Sequence, residues 1–565
     1  MEITEDGYSR DDSHPTAPFN DGGEDSFLSS NFLLDTVGEI FLTQNSDGLS
    51  WQLVESLNDE KDERWTEIKF SDVYAVEFLG WGLVHGPVLG ARECILGHSA
   101  QMYRFTVHAV QSSKNLPSLW TPSVYTFGHN NLEICKTWVN QISASLDMES
   151  NRPKNLLVLV HPRSGKGNGL GIWEELAPIF YRAKVKTKVI VTQRAGHARD
   201  VMTSITNREL SFYDGVVAVG GDGFFNEILN GLLLSRHKAS YPPDPGDSIH
   251  PVEMELNSTI HNPEFSFPNK QFRIGIIPAG STDTIAICTT GARDPLTSAL
   301  QIVLGKRVNL DVAQIVRWKM TPASISEPCV RYAASFAGYG FYGDVIRESE
   351  KYRWMGPKRY DYAGTKVFLQ LRSYEAELNY LEVESEKENS SPEEEPPETS
   401  TKAFRCLPAN SDGVSCRANC GVCNTKGVDA LVGPSFPLPN SKASRWLTSK
   451  GRFISVGAAV ISCRNERAPD GLVADAHLSD GFMHLILIKD CPHPHYLWHL
   501  IQLTKRGGNP LDFEFVEHHK TPAFTFTSFG EEGVWNVDGE LFLAHRLSAQ
   551  VFRGLVSLFA GGPVA

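Results

Sequence analysis

Val216-Val217-Ala218-Val219-Gly220-Gly221-Asp222-Gly223-Phe224-Phe225-Asn226-Glu227 is the stretch on which the fold turns. An apolar run ends in a glycine-rich turn, and a helical pattern over Phe224–Leu234 follows at once. Glycines at a strand-to-helix turn let backbone amides come close to a phosphate, and a helix N-terminus favours negative charge. Gly220, Gly221, Asp222 and Gly223 are therefore candidate substrate-binding positions. Asp222 is the candidate catalytic residue, as a base or a metal-facing carboxylate; a tight turn with an Asp cap is the alternative. Asn226 and Glu227 stand one helical turn further on.

Working outward, Leu156–Val160 reads as a strand covered on both faces. A helix with Ile172, Leu176, Ile179 and Phe180 on one face follows, then a strand (Val185–Val191), a helix near His197–Ile205 and the strand before Gly220. The segment His237–Asn269, rich in Pro, Ser and Asp, reads as a surface insertion. A strand at Phe272–Ile277 and a helix at Pro295–Leu304, which Gly305 would terminate, complete the alternation. The expectation is an α/β fold: a three-layer nucleotide-binding domain with a parallel sheet over 154–312. Two more loops follow strands, His161-Pro162-Arg163-Ser164-Gly165-Lys166-Gly167 and Pro278-Ala279-Gly280-Ser281-Thr282-Asp283. The first pairs small and basic residues beside a helix start, although it lacks Walker A spacing. The second offers Gly280 and two hydroxyls to a phosphate or sugar, or a simple helix cap. Three loops at the carboxyl ends of parallel strands should line one crevice.

Residues 1–30 are polar and acidic and read as disordered. Over 31–150, β-rich runs at Gly38–Thr43, Trp65–Lys69, Val73–Phe78 and Met102–Val110 precede a helical segment, Asn131–Leu146, carrying Trp138. Several strands closed by one amphipathic helix resemble a pleckstrin-homology domain; a small β-rich packing domain is the alternative. Residues 313–560 read as a mostly antiparallel β-sandwich domain, with runs at Arg331–Phe336, Phe453–Ser462, Phe482–Ile488 and Phe513–Val516. An acidic stretch near 382–401, containing PEEEPPE, reads as a disordered insertion.

Taken together, HPRSGKG, GGDGFFNE and IIPAGSTD resemble the catalytic domain shared by diacylglycerol, sphingosine and ceramide kinases, over residues 155 to about 555. The family pattern has Asn where this chain has His161. The resemblance implies ATP as co-substrate, Mg²⁺, and transfer of the γ-phosphate to a lipid alcohol. It assigns ATP contact to His161, Pro162, Arg163, Ser164, Gly165, Thr192, Glu227, Gly280, Ser281 and Thr282. Gly338–Asp344, Glu348–Trp354 and Arg359–Tyr362 resemble sphingolipid kinases, in which two arginines hold ATP phosphates; Arg353 and Arg359 take those positions. Guanidinium suits the task because its planar fork binds phosphate oxygens in pairs. Sphingosine kinases carry an acid where Ile346 stands, so a neutral, amide-bearing ceramide is the expected acceptor. Sphingosine or diacylglycerol kinase and a non-catalytic lipid-binding adaptor are the alternatives. Asp538-Gly539-Glu540 is expected to return to the nucleotide, with Asp538 and Glu540 organising Mg²⁺, or else to form a turn with two exposed acids. Cys416, Cys420 and Cys423, with Cys406 nearby, match a cluster in ceramide kinases and point to Zn²⁺ or to structural thiols.

A formal charge of −14 argues against nucleic acid as a partner but leaves room for a local lipid-binding patch. MEITEDGYSR shows no secretory signal, and Glu2 excludes N-myristoylation. The longest apolar runs, such as Ile454–Cys463, are too short to span a bilayer. Ten cysteines without an export signal suit reduced thiols. The expected location is cytoplasmic, peripheral on intracellular membranes. Tyr496–Arg506, apolar with a basic end, reads as a core-packing helix or as a contact for a membrane or calmodulin, with Ca²⁺ as a regulator.

Overall fold

The computed structural model describes residues 28–54, 65–86, 99–165, 167–246, 267–269, 271–318, 328–383, 444–530 and 533–563. The chain divides into two compact units, one of residues 1–71, 78–106 and 125–141, the other of 72–77, 107–124 and 142–565.

The N-terminal strands are β1 (Leu28–Leu34), β2 (Gly38–Gln44), β3 (Gly48–Leu53), β4 (Thr66–Lys69), β5 (Val73–His85), β6 (Ser99–Ser112) and β7 (Trp120–His129), followed by helix α1 (Leu132–Met148). They form one sheet in the order β4-β3-β2-β1-β7-β6-β5. Aromatic rings hold the core of the first unit: Phe32 meets Phe105 edge-on at 5.4 Å and Trp138 of α1 at 5.5 Å. Burial of such rings in edge-to-face geometry contributes beyond area alone.

The second unit begins with β8 (Asn155–Val160), α2 (Gly169–Arg182), β9 (Lys186–Val191), α3 (His197–Ser204), α4 (Asn207–Leu210), β10 (Gly215–Gly220), α5 (Asp222–Arg236), β11 (Arg273–Pro278), α6 (Thr284–Thr290) and α7 (Pro295–Val303). The strands run parallel in the order β9-β8-β10-β11. Their side chains alternate between two cores. Leu157, Leu159, Val216, Ala218 and Ile276 pack with α5, whereas Leu156, Val158, Val160, Val217 and Val219 pack with α2 and α7. That alternation is the three-layer arrangement the unbroken apolar runs predict.

The remaining elements are β12 (Val308–Trp318), β13 (Cys329–Ala333), β14 (Phe336–Gly340), α8 (Phe341–Glu350), a 3-10 turn (Arg353–Lys358), α9 (Arg359–Gln370), β15 (Tyr374–Val383), β16 (Ser444–Ala459), β17 (Met483–Lys489), α10 (His493–Leu503), β18 (Val516–Thr521), β19 (Ala523–Phe529), β20 (Trp535–Val537), β21 (Glu540–Phe542) and β22 (Arg546–Leu558). The structure adds several features to the sequence reading. A boundary at 312 would fall inside β12, which pairs along β22. β22 in turn reaches β11 in parallel at Ile274↔Leu558, so the antiparallel strands continue the parallel sheet. Alternate residues of β17 also face two cores: Leu485 and Leu487 pack with Phe524 and Trp535, while Ile486 and Ile488 join the core beneath α5. The run expected as a strand at Phe513–Val516 is turn as far as Phe515, and α8 and α9 join the helix expected at Tyr496–Arg506 in a half read as mostly β.

Candidate active site

The strand ends bring three loops together. Gly165, Gly221 and Gly280 meet backbone to backbone. A Cβ on Gly280 would lie 2.6 Å from the Gly221 Cα, and one on Gly165 would lie 2.6 Å from the Ala279 carbonyl oxygen. Neither site tolerates a side chain, which is the physical reason for glycine there. Ala279 N–H donates to Gly220 O at 3.0 Å, and His161 N–H donates to Val219 O at 3.0 Å.

Asp222 lies inside the first turn of α5, because the helix is capped by Gly221. The reading of Asp222 as an N-cap is thereby set aside. Its partly buried carboxylate accepts N–H bonds from Thr284 (2.9 Å) and Ile285 (2.8 Å) at the start of α6. Burial pushes its pKa up to about 6, the two amides pull it down, and the charges of Asp283 and Asp538 raise it further. Asp283, fully buried at a left-handed φ of 54°, accepts the Gly280 N–H at 2.9 Å and an Arg293 Nε–H at 2.9 Å. Burial raises its pKa despite those donors. Ser281 and Thr282 stand exposed at the tip of the same loop, and a Cβ at Gly223 would meet open space.

Other expected residues are engaged elsewhere in the frame. The Thr192 hydroxyl and N–H both donate to Val160 O, tying β9 to the end of β8. Glu227 accepts the Gly196 N–H at 3.1 Å and fixes the turn before α3. The His161 ring sits edge-on to Phe224 at 5.3 Å, and its buried Nδ1 has no hydrogen-bond partner among the described residues. Pro162, Arg163 and Ser164 form the following turn, with Ser164 N–H donating to His161 O at 3.2 Å; Lys166 lies outside the described residues.

Arg353 and Arg359 share one carboxylate, Glu350. Arg359 also lies 4.7 Å from the centroid of the Tyr360 ring. A chain of ion pairs connects their helix to the third loop. Arg293 donates to Gly280 O (2.8 Å), Asp283 and Glu466 (2.6 Å), and the adjacent Arg467 grips Asp361 of α9 with two N–H groups. Asp283, Arg293, Glu350 and Arg467 were given no role from sequence. Asp283 at least stood inside a quoted motif, whereas Arg293 and Arg467 find their partners only through the fold.

Asp538 and Glu540, the residues expected to organise Mg²⁺, stand in a tight turn. Asp538 and Gly539 both have positive φ, 47° and 87°, and form the two-residue turn between β20 and β21, where Val537 pairs with Glu540. Asp-Gly is the usual sequence for such a turn. Asp538 is buried, not exposed, and its carboxylate accepts the N–H groups of Ala334, Ser335 and Phe336 and the Ser335 hydroxyl. Burial raises its pKa against those donors. Glu540 instead pairs with Arg331. The two acids are thus held by different partners. No group of three or more His, Cys, Asp or Glu gathers as a metal site among the described residues, and Cys406, Cys416, Cys420 and Cys423 lie outside them.

The core-packing reading of α10 matches its buried Tyr496 and His499. No helix among the described residues is long and apolar enough to cross a membrane.

Three glycine-lined loops around a carboxylate at the ends of parallel strands define a phosphate-handling kinase fold, and residues 155–315 match the diacylglycerol kinase catalytic domain. Residues 437–533 match the ceramide kinase C-terminal domain. The chain is 55% identical to a ceramide kinase of Arabidopsis thaliana over 96% of this chain and 98% of that protein. It is 48% identical to one of Oryza sativa (96% and 99%) and 33% identical to one of Homo sapiens (88% of each). The chain belongs to the ceramide kinase family.

Proposed function

We propose that this protein transfers the γ-phosphoryl group of ATP to the primary hydroxyl of ceramide, giving ceramide 1-phosphate and ADP. The observation that carries this reading is the likeness to ceramide kinases along nearly the whole chain, with both family domains present. Phosphoryl transfer passes through a loose transition state, so positioning and charge neutralisation do most of the work. The 161–165 backbone, Gly280, Ser281 and Thr282 cradle the phosphates, and Arg353 and Arg359 neutralise them. Asp222 orients the lipid hydroxyl and takes its proton late, once the new P–O bond has begun to form. A pKa near 6 supports that role, since a base works best when its pKa lies close to the working pH. ATP enters as its Mg²⁺ complex; Asp538 holds the 334–336 turn, and no step is assigned to a protein-bound ion. Seven strands followed by one helix support a pleckstrin-homology-like N-terminal domain. The working location is the cytoplasmic surface of an intracellular membrane.

The test is a kinase assay with γ-labelled ATP on ceramide, sphingosine and diacylglycerol presented in identical mixed micelles. Label should go to ceramide. Preferential labelling of either other lipid would overturn the acceptor assignment, and label in none of them would overturn the kinase reading.

A further inference from the structure

Ceramide carries two long hydrocarbon chains, so its hydroxyl is met at a bilayer surface, and some face of the enzyme must bring the phosphate crevice there. We propose that α9, the 3-10 turn before it and α10 form that face, and that its occupant is an anionic bilayer. This rests on the ceramide kinase reading.

The face is built by helical spacing. In α9, Ala363 and Val367 are buried one turn apart, which leaves Tyr362 and Leu369, seven residues apart, together on the opposite side. Leu369 is 70% exposed, and Trp354 in the preceding turn is 82% exposed. The end of α9 adjoins the start of α10: His493 Nε2 lies 3.4 Å from Leu369 O, and the His493 ring meets Phe368 at 5.6 Å. One turn along α10 from His493 comes exposed Leu497, beside Trp498 at 51% exposure. The Lys505 ammonium sits 5.1 Å from the Trp498 ring centroid. Exposed aromatics with lysine beside them suit the headgroup layer of a membrane.

The charge points the same way. The chain as a whole carries −14, yet this segment keeps a positive surplus. Lys351 and Lys366 share the single carboxylate Glu348, and Arg353 and Arg359 share Glu350. Asp361 is matched by Arg467, while Lys358 and Arg372 have no ion-pair partner among the described residues. A local basic patch on an acidic protein binds anionic lipid by proximity, screened within about 8 Å at physiological salt. Arg353 and Arg359 belong to the same segment, so docking through it would bring the acceptor alcohol towards the phosphate-binding arginines.

The experiment uses the full chain and phosphatidylcholine vesicles with and without phosphatidylserine. Two variants are compared with wild type: Trp354→Ser/Leu369→Ser/Trp498→Ser, which removes the apolar face, and Lys358→Glu/Arg372→Glu, which reverses its free charges. Wild type should sediment with the phosphatidylserine vesicles. Both variants should bind them at least about tenfold more weakly, since each basic residue near an anionic surface contributes roughly fivefold. On a short-chain, water-dispersible ceramide both should keep wild-type turnover, and their melting temperatures should be unchanged. Wild-type vesicle binding in either variant, or wild-type binding indifferent to phosphatidylserine, would overturn the face. Failure of wild type on the short-chain ceramide itself would instead remove the kinase reading, independently of the sedimentation result.

Discussion

Asp222-Gly223 and Asp538-Gly539 are the same dipeptide in two settings, close enough that the charge at 538 raises the pKa at 222. Asp222 opens a helix, accepts two amide bonds, and has open space beside it at Gly223. Asp538 turns a hairpin, accepts four bonds, and is 5% exposed. A carboxylate has about four lone-pair sites. At 222 two remain for an incoming hydroxyl; at 538 four donors from 334–336 converge on a buried carboxylate, three of them on Oδ1. Donor number and access, not residue type, separate a reactive acid from a structural one.

The largest effect that tests this contrast should come from Asp222→Asn. Turnover should fall by roughly a thousandfold, as for loss of a positioned base, while ATP affinity measured by equilibrium binding changes little. The wild-type kcat profile should rise with pH to a plateau above about 6, and the residual activity of the variant should lack that limb. The stability consequence has a definite sign. A carboxyl with its folded pKa raised from 3.8 to about 6 stabilises the fold most below the lower value and loses that contribution as pH rises through 6. The melting temperature of the Asn variant should therefore gain on wild type between pH 4 and 8. A flat wild-type profile across pH 6 would detach Asp222 from proton transfer.

Asp538→Ala should show the converse pattern. Four donors lose their acceptor and a residue at positive φ gains a less suitable side chain, so urea denaturation should report a loss of about 3 kcal/mol or more. Turnover per folded molecule should fall far less than for Asp222→Asn. An Asp538 variant of full stability and no activity would exchange the two roles.

This contrast also marks where the sequence was legible. The three loops could be read because close backbone approach demands glycine, and Gly165, Gly221 and Gly280 are the residues that touch neighbouring backbone. The parallel sheet could be read because strands covered on both faces are apolar throughout. The partners of Asp538 could not be read from Asp538-Gly539-Glu540, because the groups that take up the carboxylate, at 334–336, stand some 200 residues away. A still longer separation, from Ile274 to Leu558, hid the join of β11 to β22. β3 and β7 were passed over since Gln52 in one and Pro122 in the other interrupt the apolar pattern. Over 341–370, Gly343 in α8 and Gly364 in α9 weaken the helical signal that their apolar spacing carries.

The smallest expected effect concerns the strap between the two halves of the site. Arg293 donates to three partners, two in the phosphate loop and Glu466 beyond it, and Arg467 carries the connection to α9. The inner contacts are sheltered, since Asp283 is 1% exposed, but Glu466 and the Arg467–Asp361 pair lie at the surface. Exposed pairs are worth at most about 1 kcal/mol. Arg293 is thus a positioning residue whose main grip is on Asp283 and the Gly280 carbonyl. Lysine at 293 keeps the charge but loses the planar fork whose separate nitrogens reach Asp283, Glu466 and the Gly280 carbonyl. Arg293→Lys should raise the KM for ATP roughly fivefold with kcat within about twofold, and Arg467→Lys should change either constant by less. A fall in kcat at constant KM for ATP would mean that the strap aligns the acceptor carboxylate at 222 through α6, and the division of labour between the two Asp-Gly turns would then extend to the arginines that brace them.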